Sequence, residues 1–90
     1  MQGKVAMVTG ASAGIGRAAA LAFAREGAHV ALGDVDVERG AAAAAEIEGL
    51  GCEAIFIRAD VSDGASVADL VHGTVDRFGR LDFAFNNAGI

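Results

Sequence analysis

Residues Val5-Ala6-Met7-Val8-Thr9-Gly10-Ala11-Ser12-Ala13-Gly14-Ile15-Gly16 decide how this chain is read. An apolar run stops at Thr9, and glycines stand at 10, 14 and 16 as the sequence turns helical. Lys4 to Thr9 predicts a strand buried on both faces, and Ile15 to Arg25 predicts a helix. Glycine makes the tight turn between them and removes side chains that would keep a ligand from the backbone. The helix N-terminus adds unpaired N–H groups and a partial positive charge, which suits a diphosphate. Glycine clusters also occur in ordinary loops, and this chain has 13 glycines in 90 residues. The strand–turn–helix context is what favours a nucleotide cradle over a merely tight turn.

Outward from this stretch the pattern alternates. Ala28 to Gly33 predicts a second strand, and Val37 to Glu48 an alanine-rich helix closed by Gly49 and Gly51. Glu53 to Arg58 predicts a third strand. From Ser62 to Phe78 an apolar stripe of Val67, Leu70, Val71, Thr74, Val75 and Phe78 predicts a helix. Ser62 or Asp63 can cap it and Gly79 ends it. Leu81 to Phe85 predicts a fourth strand. The order βαβαβαβ implies right-handed crossovers and a parallel sheet. The expected fold is α/β, a Rossmann-like three-layer sandwich of strand order 3-2-1-4 with three crossover helices. Helices one and two should share one face and helix three the other. Part of the third helix's face and the edge of strand four would then be bare.

Ninety residues make one small domain, and 53% hydrophobic residues suffice for a packed core. A net charge of −5 without a basic run argues against nucleic acid or an anionic membrane as partner. No apolar run has the length of a membrane span, and Met1-Gln2-Gly3-Lys4 leads into the first strand without a signal-peptide pattern. Cys52 is the one cysteine. It cannot form an internal disulfide, so the cytoplasm is the default, and it reads as a small turn residue rather than a nucleophile. His29 and His72 stand apart from each other and from carboxylate pairs, which gives no metal or acid–base role. The chain has no tyrosine, and Lys4 is its one lysine.

Polar residues collect where the strands end. Asp34, 18 residues after Gly16, can accept bonds from both hydroxyls of an adenosine ribose and would repel a 2′-phosphate. It could instead cap the second helix, a duty better assigned to Asp36. Asp60-Val61 can flank an adenine, although Asp60 as a plain loop or cap residue fits as well. Asn86-Asn87-Ala88-Gly89 closes the fourth strand. One asparagine can tie neighbouring strand ends while the other faces a ligand, and Ala88 and Gly89 leave room for a bulky cofactor.

Thr9-Gly10-Ala11-Ser12-Ala13-Gly14-Ile15-Gly16 resembles the TGxxxGxG cofactor motif of the short-chain dehydrogenase/reductase family. Asp34, Asp60-Val61 and Asn86-Asn87-Ala88-Gly89 follow in that family's order and spacing, so the resemblance spans the chain. It implies reversible hydride transfer between a nicotinamide cofactor and an alcohol or carbonyl. The roles it implies put Gly10, Ser12, Gly14, Ile15 and Gly16 around the pyrophosphate and riboses. Asp34 falls at the adenosine ribose, Asp60 and Val61 at adenine, and Asn87, Ala88 and Gly89 along the cofactor. Ala13 and Val35 occupy the places where NADP-preferring members often carry Arg or Lys, so NAD is expected rather than NADP.

The family's catalytic Ser, Tyr-x-x-x-Lys and further Asn lie beyond the fourth strand. With no tyrosine and a misplaced Lys4, these 90 residues are expected to be the N-terminal, cofactor-binding part alone, inactive by themselves. They are expected to need a missing C-terminal half or to self-associate. The alternative class is a truncated nucleotide-binding or self-associating module without catalysis. A methyltransferase is a remote third reading, disfavoured by Thr9-Gly10 and the Asn-Asn-Ala-Gly run.

Overall fold

The computed structural model describes residues 2–87. Four strands, β1 (Val5–Thr9), β2 (His29–Asp34), β3 (Ala54–Arg58) and β4 (Phe83–Asn86), alternate with α1 (Gly14–Arg25), α2 (Val37–Glu48) and α3 (Gly64–Phe78). They form one parallel sheet of order β3-β2-β1-β4, as the alternating pattern predicts. β1 lies between β2 and β4, with Val8 opposite Leu32 and Phe85, so all five of its residues are buried.

The two faces of the sheet carry different helices. Val8, Val30 and Leu32 pack with Ala20 and Ala24 of α1 and Ala43, Ala44 and Ile47 of α2. Met7 and Ala31 face the other way and pack with Leu70 of α3 and with Ala59. Small side chains bring α1 and α2 close to the strands, and glycine brings α2 and α3 closer still. A Cβ at Gly40 would overlap the Phe56 ring, and one at Gly73 would stand 2.5 Å from Ile57 Cδ1. On β2 a Cβ at Gly33 would stand 2.5 Å from Leu70 Cδ2, so a glycine inside the strand is what lets α3 settle.

Local chemistry sets the ends of the helices. Asp36 caps α2 by accepting from Arg39 N–H, and Asp63 caps α3 by accepting from Ala65 N–H. Gly79 ends α3 at φ 78°, in the left-handed region. α1 begins at Ala13 with no side-chain cap at all.

Three expectations shift. Val75, placed in the apolar stripe of α3, is 42% exposed. α3 is the one described helix on its face, so nothing flanks it, and only Leu70 and Thr74 are fully covered. The fourth strand starts later than Leu81, because Asp82 is used as a clasp. Its N–H donates to Val5 O (2.9 Å) and its carboxylate accepts from Val5 N–H (2.9 Å). The strand then runs on to Asn86, which pairs with Thr9. β4 is the uncovered edge that was expected: Phe83 is 41% exposed despite stacking on Phe23 at 6.2 Å.

Candidate functional site

The carboxyl ends of β1, β2 and β3 meet in a cleft of about 160 Å³ lined by Gly10, Asp34, Val35, Ala59, Asp60 and Val61. Five of these six were singled out from the sequence, and Ala59 was not. Ala59 is buried, and its N–H donates to Asp34 O (3.0 Å), closing the last pair of the β2–β3 ladder, Asp34 with Arg58. Its signal was the lone small residue between Arg58 and Asp60.

β2 delivers Asp34 to the wall of the cleft, where both of its oxygens are engaged. Ser12 N–H donates to Oδ2 (3.1 Å) and Asp36 N–H donates to Oδ1 (3.1 Å). Burial pushes this carboxyl upward. The Ser12 side chain and the N–H groups of Asp36, Ser12 and Val35 outweigh it, so the group sits below its ordinary value and is ionised at neutral pH. Asp34 does not cap α2; Asp36 does, with Arg39 N–H donating at 3.1 Å. Val35 and Val61 stand on the rim, 52% and 37% exposed. Two such apolar side chains beside two carboxylates suit a flat heterocycle attached to a hydroxylated sugar.

Asp60 combines the two duties left open for it. Its carboxylate accepts from Ser62 N–H (3.0 Å) and Ser62 Oγ–H (2.6 Å), and its own N–H donates to Ser66 Oγ (3.2 Å). The Ser62 hydroxyl and N–H hold the carboxyl below its ordinary value. Asp60 is thus a loop-forming residue that also lines the cleft. Ser62 and Ser66 are its partners; Asp60-x-Ser62 is the spacing of a side chain bonding two residues on.

The glycine loop lies beside this cleft. Gly10 (φ 63°) and Gly14 (φ 59°) both take left-handed conformations. Gly16 has a different reason. A Cβ there would overlap the Gly10 carbonyl oxygen and stand 3.0 Å from Asn87 Nδ2. Asn87 Nδ2 donates to the same Gly10 carbonyl at 3.5 Å, so β1's loop, α1 and the end of β4 meet at one joint. Asn87 is therefore the tying asparagine, while Asn86 is exposed. Ala88 and Gly89 lie outside the described residues.

The dinucleotide that the resemblance implies can be tested against this geometry. α1 has neither a side-chain cap nor an acid in its first turn, and its main-chain bonding opens with Arg17 N–H donating to Ala13 O (3.3 Å). The N–H groups of the first turn are thus available to an outside acceptor. Nothing lies within 4 Å of a Cβ built at Gly14, and Ile15 is 71% exposed. That end offers main-chain donors to an anion, and the neighbouring cleft sets the Asp34 carboxylate beside Val35 and Val61.

Known proteins share this sequence pattern and this fold. A sequence model described as short chain dehydrogenase matches residues 4–90. An uncharacterized oxidoreductase of Thermotoga maritima is 48% identical over 99% of this chain and 35% of its own. A short chain dehydrogenase/reductase from Burkholderia phymatum, solved in complex with NAD, superposes with TM-score 0.94. It is 42% identical over 99% of this chain and 32% of its own. An alcohol dehydrogenase from Thermococcus sibiricus, complexed with 5-hydroxy-NADP, gives TM-score 0.86 and 41% identity over 90% of this chain and 35% of its own. The chain spans about a third of the length of these relatives. With the motif, the sheet order and the sequence match in agreement, the chain belongs to the short-chain dehydrogenase family.

Proposed function

We propose that these 90 residues bind the adenosine and pyrophosphate part of NAD for a short-chain oxidoreductase that interconverts alcohols and carbonyls. The observation that carries this reading is the ionised Asp34, fixed through both oxygens on the wall of a cleft that Gly10, Val35 and Val61 share.

In this reading the N–H groups at the start of α1 bind the pyrophosphate, and Gly14 and Ile15 border it. Asp34 accepts from the ribose hydroxyls, and Val35 and Val61 hold adenine, with Asp60 at its edge. The nicotinamide, when bound, supplies or accepts the hydride. Asp34 also disfavours NADP, since its charge would face the 2′-phosphate and Ala13 and Val35 offer no compensating cation. Relatives bound to NAD and to an NADP derivative both exist, so this preference is a property to be measured for this chain.

The hydride-transfer machinery is assigned to residues beyond these 90, which hold no tyrosine. The 90-residue chain is proposed to be inactive alone and to pair through β4, whose exposed Phe83 and free edge support association with a second copy or with a C-terminal half. The cytoplasm is the proposed compartment. No helix among the described residues is long and apolar enough to cross a membrane.

Calorimetric titration of the chain with NAD and NADP tests the reading. NAD should bind more tightly, and Asp34→Ala should lose about tenfold in NAD affinity while narrowing the gap to NADP. Equal affinity of the wild type for both dinucleotides would overturn the ribose assignment.

A further inference from the structure

We propose that Ser62 is a positioning residue for Asp60: its hydroxyl holds one carboxylate oxygen inward, so that the other selects a base bearing an amino group over one bearing a carbonyl. The inference rests on the cofactor reading above. The loop around Asp60 engages every polar atom of that residue but one. Its N–H donates to Ser66 Oγ in the first turn of α3 (3.2 Å), and its main-chain oxygen accepts from Asp63 N–H (2.9 Å). Its Oδ1 accepts twice, from Ser62 N–H (3.0 Å) and from Ser62 Oγ–H (2.6 Å). Among the described residues no hydrogen bond reaches Oδ2. Asp34, on the same cleft, is held differently, with one N–H to each of its oxygens.

The Ser62 side chain is what makes this asymmetry a property of the sequence. The N–H of any residue two places after an aspartate can close such a turn. Only a hydroxyl at position 62 adds the second and shorter bond, and a hydroxyl donating to an ionised oxygen is the stronger kind. Two donors on Oδ1 decide which oxygen faces the loop and set the plane of the carboxylate. Asp60 lines the cleft together with Asp34, Val35 and Val61. Its carboxyl is held below the ordinary value, first by the Ser62 hydroxyl, so at neutral pH Oδ2 can accept and cannot donate. An acceptor fixed in place pairs with an exocyclic amino group, as adenine carries, and repels a carbonyl oxygen, as hypoxanthine carries at the same ring position. The choice of base is thereby separated from the choice between NAD and NADP assigned to Asp34.

Calorimetric titration with NAD and with nicotinamide hypoxanthine dinucleotide tests this on the wild type, Ser62→Ala, Ser62→Thr, Asp60→Asn and the Asp60→Asn/Ser62→Ala double variant. Ser62 is exposed, so its substitution removes a bond and no packing. The wild type should prefer NAD by about tenfold, the effect of one well-placed hydrogen bond. Ser62→Ala should cut that preference to about threefold, and Ser62→Thr, which keeps a hydroxyl, should retain it. Asp60→Asn should reverse the preference, because Ser62 holds the amide oxygen and turns the NH2 group toward the base. Removing the hydroxyl in that background lets the amide turn over, so the preference should move back toward NAD. Changes of opposite sign in the two backgrounds are not what a general loosening of the loop produces. Equal wild-type affinity for the two dinucleotides, an Asp60→Asn chain that still prefers NAD, or a change of the same sign in both backgrounds would overturn the proposal and leave the cofactor reading standing. A wild type that binds neither dinucleotide would overturn both.

Discussion

Gly16→Ala is the substitution that tests most directly how the loop is built. A Cβ at position 16 would overlap the Gly10 carbonyl oxygen and stand 2.7 Å from the Gly10 carbonyl carbon. Carbon atoms in contact prefer about 3.5–4.0 Å, so α1 and the loop must separate by about 1 Å. Both atoms at Gly10 belong to the backbone and cannot rotate away, so the strain is shared among Gly10, the Asn87 bond and the docking of α1. Overpacking of this kind costs about 1–3 kcal/mol, and in a domain of this size that lowers Tm by about 4–24 °C. Gly10 also lines the cleft. A loop displaced by 1 Å that loses two amide bonds at ~1 kcal/mol each would weaken NAD binding about thirtyfold.

Gly14→Ala is the control. Its Cβ meets nothing within 4 Å, so only the left-handed backbone at φ 59° resists it, at about 1 kcal/mol. Differential scanning calorimetry and NAD titration on both variants should rank Gly16→Ala well below Gly14→Ala in Tm. A Gly16→Ala chain that melts and binds NAD as the wild type does would refute the account of the joint.

Ala13→Asp should supply the cap that α1 lacks, raising stability by about 1 kcal/mol while weakening NAD binding; unchanged affinity in a titration would move the phosphates elsewhere. Leu70→Ala should cost about 2–5 kcal/mol by chemical denaturation, because Leu70 is fully buried over Gly33 and fills the space that glycine leaves; a loss below this range would mean that α3 collapses onto β2 freely. Acid should destabilise the chain partly through Asp82, held below its ordinary value by the Arg80 guanidinium and then by Val5 N–H. A carboxyl lowered in the folded state stabilises fully above its unfolded value and ceases to do so as pH falls through the folded one. Asp82→Asn should therefore melt lower than wild type at neutral pH and lose less Tm below about pH 4; parallel pH–Tm curves would contradict the clasp.

The fold was legible because each strand is short, apolar and followed by a helix with its own stop signal. Gly79 after Phe78 and Asp36 before Val37 place α3 and α2 almost to the residue. The site was legible because residues destined for one sheet edge must occupy strand ends, so Gly10, Asp34, Asp60 and Asn87 could be grouped without knowing a distance. Pairwise fits were not legible. No local pattern marks Gly33, Gly40 and Gly73 as the places where Leu70, Phe56 and Ile57 come close. The exposure of Val75 was equally hidden, because a stripe's width depends on whether a second helix flanks it. Ser12 was assigned to a ligand, and its bond to Asp34 joins residues 22 apart that no local pattern connects.

The three helix N-termini show where folding and binding demand different things. Asp36 and Asp63 each accept an N–H from the helix they precede, which satisfies donors that would otherwise meet only water. Ala13 occupies the equivalent place before α1 and satisfies nothing, although its extended conformation (φ −156°, ψ 166°) is the one a capping residue adopts. The backbone is thus shaped for a cap and the side chain is withheld. A carboxylate there would stand where an anion is drawn and would cancel the positive end of the helix. The Thr9 hydroxyl, buried and without a partner among the described residues, lies at the end of the strand that leads into the same loop. Stability forgone at this one edge is what the proposed binding loop, unlike a plain crossover, requires.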